Sequence, residues 1–469
     1  MRTIATVALL AIVIALTGTA HAISLNPHGL GQALIFPYYT TNKGQDTLVS
    51  VTNDSDSGSM ALLRFNEGMN GRYVMDVSVF LAPHDVWTAR ISASDATGAP
   101  TLYTSDSSCT SPPVGSGLVF LASPYAGGSI FPADGGPVGA FRTREGFFEV
   151  YEMGAVIPDS PLDHEIRRLD GQSTPTCGAP QPGPSISGEY LSPPDGRLSG
   201  SVAIVNVGEG TFFSYAAQAL AGFTAEALCC SLEYRFATGP RMTNSADSRY
   251  PGGAIAHVQI DDHDVALDFD QGLDAFSAVF MADSVANDYL VAAGLGANTD
   301  WVLTFPTKAF YTDPLYASSS PPQARAPFVR TFQAPGAANV LVNATQYDQE
   351  ERHGATSPLT LPWVVNVVGF QSGDEDATAV LGSAFAVPVA PLADAGTMTL
   401  DLVHGGNETH ALPVPDGRVL HGLPATGFMV YNIINANAAP GKLANYGGTF
   451  PYRSTVSCTT PASDTTQCE

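Results

Sequence analysis

Alternation of apolar and polar residues is the commonest pattern in this chain, and it predicts β-strands. In Tyr73–Leu81 all the odd-numbered positions are apolar, which is typical of a strand that buries one face. Thr47–Thr52 and Met60–Phe65 carry similar strand signals on either side of the polar segment Asn53–Gly58. We therefore predict that these two strands form a hairpin with a long turn.

Two segments favour helix instead. Phe213–Leu228 contains an Ala-rich run of high helix propensity, although Gly222 weakens it, and Asp283–Ala293 is a shorter candidate. Gly171–Gly196 carries six prolines and predicts a long irregular loop. Turn-forming clusters separate the remaining apolar segments. The predicted fold class is therefore all-β: two β-sandwich-like domains with one or two short helices and long loops.

Composition agrees with this pattern and gives a domain division. The 469 residues include 46 Gly and 35 Pro, which indicates many turns and few long helices. The polar segment Thr238–Gly253 is the best candidate linker. We predict a first domain over residues 23–245, a second β-rich domain over 246–455 and a polar C-terminal tail over 456–469.

The first 22 residues have the three parts of a secretory signal peptide. A basic start at Met1-Arg2 precedes an apolar run over Ile4–Leu16, and small residues then lead to Ala20-His21-Ala22. This apolar run is shorter than the roughly 20 residues that a membrane-spanning helix needs. We expect cleavage after Ala22, export to the periplasm, cell surface or medium, and no membrane span in the mature chain.

The net charge limits the partners of the protein. The charge is −24, and the chain has only 20 Lys and Arg residues with no basic cluster. Because nucleic-acid binding depends on basic groups that neutralise phosphates, we expect no nucleic-acid partner. Acidic turns can bind calcium, and the densest one supplies the weak calcium candidates Asp261, Asp262 and Asp264. Their spacing does not match a known calcium loop, so a solvated turn is the preferred interpretation.

The six cysteines predict disulfides, as is usual in exported chains. Cys458 and Cys468 could close a small loop in the tail, and Cys109 and Cys177 could join two polar loops. Cys229 and Cys230 are adjacent, which leaves either a vicinal disulfide or a free pair. No zinc-type spacing is present.

The sequence carries little evidence for catalysis. Glu145, Glu149 and Glu152 lie on one predicted strand, and paired carboxylates are the machinery of glycoside hydrolysis. Glu145 and Glu149 would lie about 13 Å apart along that strand, which is too far for a glycosidase pair. No nucleophile elbow, phosphate-binding loop or zinc-hydrolase motif occurs, so no catalytic residue is assigned.

Aromatic residues are dense in two regions. Some could stack on sugars or anchor a protein, but burial in a sandwich core is the preferred interpretation. The set is Phe36, Tyr38, Tyr39, Trp87, Trp301, Phe305, Phe310 and Tyr311.

Four segments together resemble a group of uncharacterised secreted proteins of Gram-negative proteobacteria. They are Ser24–Tyr39, Leu81–Thr88, Thr299–Lys308 and Leu443–Gly448, and they span most of the chain. The resemblance implies a bacterial source and export. No activity is established for the group, so it implies no site residue.

The function that the sequence favours is a secreted or cell-surface structural or adhesive protein that binds an unknown extracellular protein or glycan. Strand patterning and the absence of catalytic motifs support it. One alternative is a secreted polysaccharide-directed hydrolase, and another is a surface protein stabilised by calcium. Apart from calcium, no cofactor is expected.

Overall fold

The computed structural model describes residues 22–95, 97–128, 131–167, 175, 177, 190–228, 254–317, 319–370, 377–435, 439–460 and 468. The signal segment up to His21, the pair Cys229 and Cys230, and the acidic sequence Gly373–Asp376, which could also be considered for calcium, lie outside these residues. The division of the chain at residue 245 also lies outside them and stays a prediction.

Strands form most of the described chain, and the helices are short. The strands of the first half are β1 Ala22–Leu25, β2 Ala33–Thr40, β3 Asp46–Asn53, β4 Gly58–Glu67, β5 Tyr73–Leu81, β6 Val86–Ser92, β7 Thr101–Tyr103, β8 Cys109–Ser111, β9 Leu118–Val119, β10 Glu145–Val156, β11 Leu191–Ser192, β12 Leu198–Asn206, β13 Thr211–Ala216, β14 Gln218–Ala221, β15 Ala254–Ile260 and β16 His263–Phe269. The strands of the second half are β17 Met281–Ala282, β18 Ser284–Leu290, β19 Ala297–Thr304, β20 Val340–Asp348, β21 Ser357–Leu361, β22 Val365–Phe370, β23 Ala386–Val389, β24 Ala395–Asp401, β25 His404–Gly405, β26 Glu408–Thr409, β27 Ala411–Pro413, β28 Val419–His421, β29 Leu423–Pro424, β30 Thr426–Ile433, β31 Tyr446–Pro451, β32 Arg453–Thr455 and β33 Cys458–Thr459. The α-helices are α1 Ser123–Ala126, α2 Pro161–Ile166, α3 Gly272–Ala278 and α4 Lys308–Thr312.

Two large sheets form a sandwich in the first half. One has ten strands in the order β16-β15-β1-β14-β2-β10-β4-β5-β8, with β11 beside β10, and the other has the order β13-β12-β3-β6-β7-β9. Phe36, Phe65 and Phe148 of the ten-stranded sheet share one buried cluster with Val51 and Trp87 of the six-stranded sheet. Burial alternates along β3 and β6, so the six-stranded sheet leaves its opposite face open.

Two five-stranded sheets form a second sandwich, with orders β21-β20-β24-β18-β32 and β23-β22-β19-β30-β31. Tyr289 and Trp301, from the two different sheets, belong to one buried cluster. On the other face of β19, Val302 belongs to the cluster of the first sandwich, and Phe428 stacks on Tyr215 at 4.7 Å between ring centroids. The sheet that contains β19 thus lies between the other sheets, and we call it the middle sheet. Its central strands β19 and β22 are buried on both faces.

β1, which begins at the predicted cleavage site, joins separate parts of the ten-stranded sheet. Ser24 of β1 pairs with Ala221 of antiparallel β14 and with His257 of parallel β15. Gly222 follows β14 with φ +67°, in the left-handed backbone region that favours glycine. Through β1, the hairpin of β15 and β16 extends the sheet.

Both helix predictions are wrong. Phe213–Leu228 forms β13 and β14, and Asp283–Ala293 contains β18. In β18 the residues Val285, Asn287 and Tyr289 are buried in alternation, which is the strand period. Burial against neighbouring strands outweighs the helix propensity of the Ala-rich run.

The predicted hairpin is also wrong. β3 pairs with β6 and β12 in the six-stranded sheet, whereas β4 pairs with β5 and β10 in the ten-stranded sheet. The turn between them crosses from one layer of the sandwich to the other. Both faces of β4 are buried, which a strand in an isolated hairpin does not achieve.

The all-β, sandwich-like fold class is confirmed by these sheets. Two predicted disulfides also form, Cys109–Cys177 and Cys458–Cys468. The C-terminal tail contacts the body, since β33 pairs with β28. Among the described residues, no helix is long and apolar enough to cross a membrane.

Candidate functional site

The three glutamates singled out in the sequence lie on β10, which is flanked on both sides by β2 and β4. Glu145 and Glu152 are fully buried, and Glu149 is 2% exposed. The pairing register of β10 shifts twice, between Gly146 and Phe148 and between Glu152 and Gly154. Such bulges change which face a side chain reaches, so simple alternation along this strand fails.

Glu145 connects the two halves of the chain. Its carboxylate accepts hydrogen bonds from the Tyr38 hydroxyl at 2.7 Å, the Asn42 amide at 3.0 Å and the backbone N–H of Ala384 at 2.7 Å. Burial raises the pKa of Glu145, although these hydrogen bonds oppose the shift. Because these bonds tie Tyr38 and Asn42 to Ala384 in the second half of the chain, this carboxylate acts as a structural clamp.

The other two glutamates have similarly enclosed surroundings. Burial raises the pKa of Glu149 to about 7, against the opposing effect of the Arg64 charge. Arg64 itself holds Asp76 through two hydrogen bonds of 2.9 and 2.7 Å. Burial, together with the Asp195 charge, raises the pKa of Glu152 to about 8. The Glu152 carboxylate accepts hydrogen bonds from the backbone N–H groups of Asp195 and Gly196, so it holds the segment before β12 in place.

A buried ion-pair network lies near these strands, and no sequence motif indicated it. Arg142 donates to Glu67 at 2.8 Å and to Asp134 at 2.7 Å, and all three side chains are fully buried. Arg72 holds Asp313 through bonds of 2.7 and 3.0 Å, which joins the N-terminal strands to the segment after α4. The partners are separated by up to 241 residues, a distance that sequence patterns do not report.

The calcium candidates lie at the tip of the hairpin of β15 and β16. Asp261, Asp262 and Asp264 are all exposed. The Asp264 carboxylate contacts Nδ1 of His257 at 2.7 Å. In the described part of the chain, no group of three or more His, Cys, Asp or Glu side chains is arranged to hold a metal ion. Calcium binding here stays a prediction.

The same hairpin borders a pocket of about 550 Å³ at the contact with the second sandwich. Ser24, His257 and Asp264 line it from three adjacent strands, in an order that matches nucleophile, base and acid. Among the residues that the structure describes, the Ser24 hydroxyl does not hydrogen-bond to His257. The His257 and Asp264 side chains are 35% and 50% exposed. The arrangement is that of a solvated cross-strand pair.

The aromatic residues singled out in the sequence belong to the core, as the preferred interpretation predicted. Trp87, Trp301 and Phe305 are fully buried, and Tyr311 is 3% exposed. They are therefore not a surface for a ligand. The exposed aromatic residues are others, notably Phe212 at 61% and Tyr103 at 36%.

These two residues lie at opposite ends of a groove of about 630 Å³ on the open face of the six-stranded sheet. Strand pairing places Ser214, Ala203, Leu48, Arg90 and Tyr103 in one row across β13, β12, β3, β6 and β7. We call this groove the open-face groove.

Sequence reasoning missed the open-face groove. Phe212 directly precedes the segment Phe213–Leu228, whose Ala-rich sequence predicts a helix rather than the observed β13. Tyr103 ends a strand of only three residues, which is too short to show alternation. The exposed Leu48, between buried neighbours in β3, carries the only sequence signal, an apolar residue on the polar face of an alternating strand.

Comparison with known proteins gives no relative. No family model, no curated protein and no solved structure matches this chain.

Proposed function

We propose that the chain is an exported binding protein of the structural or adhesive kind, which holds its ligand in the open-face groove. The observation that carries this proposal is the exposure of apolar side chains there: Phe212 is 61% exposed and Leu48 is 40% exposed. Exposed apolar side chains that line a depression are typical of binding surfaces. The two disulfides fit an oxidising compartment, and the periplasm, the cell surface and the medium are all oxidising.

A hydrolase that uses the glutamates of β10 has less support. A glycosidase needs two carboxyl groups that reach the sugar from either side of the scissile bond. Glu145, Glu149 and Glu152 are each at most 2% exposed, and Glu145 and Glu152 hold backbone N–H groups of the protein. Their raised pKa values follow from burial, which a structural role explains equally well.

The experiment is a binding assay with the mature chain, residues 23–469, and envelope fractions of the organism that makes it. We expect saturable binding, and we expect the double variant Phe212→Ser with Tyr103→Ser to weaken it at least about tenfold. Val207→Ser is the matched control, since Val207 is 85% exposed but lies outside the groove. Absence of binding by the unaltered protein would overturn the proposal. Equal binding by the double variant would overturn the assignment to the groove.

A further inference from the structure

The floor of the open-face groove consists of small side chains, and most of them carry hydroxyl groups. Ser201, Ser50 and Thr88 form one row across β12, β3 and β6, and Ser214 and Ala203 lie in the next row. Each hydroxyl can both donate and accept a hydrogen bond. The floor therefore offers many weak polar contacts of mixed direction.

The groove is long enough for an extended ligand. Phe212 on β13 and Tyr103 on β7 are separated by four strand intervals. Phe212 pairs with Val205, one side-chain row away from the row of Leu48 and Tyr103. At the usual strand spacing and rise, the two rings are therefore about 20 Å apart on a line that crosses the strands obliquely. Leu48, between them, adds an apolar contact. A ligand that touches both rings must extend over this distance, as an oligomer of several units does.

Arg90 is the one charged residue that lines the groove, although the chain carries a net charge of −24. Its guanidinium lies 5.3 Å from the centre of the Tyr103 ring and 3.8 Å from the carboxylate of Asp46 beside the groove. The Arg90 charge thus has protein partners, and the groove neither attracts an anionic polymer nor matches a cationic one.

Pairing of the inner strands limits the kind of contact that the groove can make. β12, β3 and β6 are each hydrogen-bonded on both sides, so their backbone groups are used within the sheet. A peptide cannot add to these strands as a further strand and would have to bind through side chains alone. Hydroxyl-rich sugar rings, in contrast, meet both the polar floor and the aromatic ends, since the apolar faces of sugars stack on aromatic rings.

We infer that the ligand of the open-face groove is a neutral oligosaccharide that crosses the strands, with one sugar ring stacked on Phe212 and another against the exposed part of Tyr103 that Arg90 leaves uncovered. This inference rests on the proposed function, because it names the ligand of the same groove. It goes further in naming a neutral sugar polymer rather than a protein or a charged polymer.

The experiment separates the two proposals through the chemistry of the binding target. Envelope fractions are divided into three portions: one untreated, one digested with a broad-specificity protease, and one oxidised with periodate, which cleaves the vicinal diols of sugars. The mature protein is then titrated onto each. We expect binding to survive the protease and to fall at least about tenfold after periodate.

The reverse pattern would overturn the oligosaccharide inference while leaving the proposed binding function intact. Absence of binding to the untreated portion would overturn the proposed function itself. Salt gives an independent measure: between about 0.05 and about 0.5 M NaCl, the affinity for a neutral ligand changes less than about twofold, since there are no charges to screen. A tenfold loss would identify a charged ligand and overturn the inference.

Two variants test the position of the ligand on the floor. Ala203→Arg places a long side chain in the middle of the groove, and we expect it to abolish binding to the untreated portion. Ala266→Arg makes the same change on the exposed side of β16, away from the groove, and should bind as the unaltered protein does. Binding by Ala203→Arg at full affinity would overturn the inference, provided that its thermal unfolding matches that of Ala266→Arg.

Discussion

Replacing Glu149 by Gln should make the protein more stable at alkaline pH than the natural chain. Glu149 is 2% exposed, and burial raises its pKa from an ordinary 4.5 to about 7. The folded protein therefore binds this proton more tightly than the unfolded chain does. Below pH 4.5 both states are protonated and the site costs nothing. Between pH 4.5 and about 7 the unfolded chain loses this proton while the folded protein keeps it, so stability falls over this range and stays low above it.

The size of the effect follows from the shift. A pKa difference of this size corresponds to about 3 kcal/mol, since each pKa unit is worth about 1.4 kcal/mol. Glutamine keeps the shape of the side chain and does not titrate. The free energy of unfolding of Glu149→Gln, relative to the natural chain, should therefore rise by about 3 kcal/mol between pH 4 and pH 8.

Urea unfolding at several pH values between 4 and 8 measures this difference. Fluorescence of Trp87 and Trp301, both fully buried, reports unfolding. Other buried carboxylates titrate in the same range, with the pKa of Asp300 raised to about 6 and that of Glu152 to about 8 by burial. They are present in both proteins, so the difference isolates Glu149.

The control is Glu350→Gln, which removes the same charge from a side chain that is 67% exposed. Its effect should stay within about 0.5 kcal/mol at every pH. The reasoning about Glu149 is refuted if the stability difference between Glu149→Gln and the natural chain is constant from pH 4 to pH 8.

Three further variants test the framework of the fold. Arg142→Met leaves Glu67 and Asp134 buried without their cation and should cost about 3–5 kcal/mol in urea unfolding, whereas Arg453→Met, whose side chain is 61% exposed, should cost less than about 1 kcal/mol. Cys109→Ser with Cys177→Ser opens a covalent loop with a sequence separation of 68, which should lower stability by about 4 kcal/mol relative to the oxidised protein. Gly222→Ala places a side chain at φ +67°, which should lower stability by about 1–2 kcal/mol in urea unfolding and speed amide exchange in β14.

Much of the fold class could be predicted from the sequence, because alternation is a local signal. Tyr73–Leu81 forms β5 over the same residues. The pairing of strands could not be predicted from that signal, since it depends on partners far apart in the chain. β3 has a strand-like sequence and a turn after it, yet its partners are β6 and β12 rather than β4. Whether a strand joins the six-stranded or the ten-stranded sheet depends on whether one or both of its faces are buried. That burial is a property of the assembled sandwich.

The β10 glutamates show a second limit. Their identity was visible in the sequence, but their role depends on bulges that alternation does not reveal. Phe147 and Phe148 are neighbours and both enter the same buried cluster, which strict alternation forbids. The open-face groove is harder still to predict, because residues between Leu48 and Ser214 contribute to it from five strands. Each strand contributes a few ordinary side chains, and only the sheet gives them a common surface.

The open face of the six-stranded sheet also differs energetically from the other large surfaces of the molecule. The central strands of the ten-stranded sheet and of the middle sheet bury side chains on both faces, so substitutions there change stability first. On the open face, Phe212 is 61% exposed and Leu48 is 40% exposed, so replacing them removes less buried area than a core substitution does. Folding therefore depends little on large apolar side chains at these positions. The proposed ligand would account for their presence in the groove, and this is why loss of binding without loss of stability is the decisive result for the groove variants.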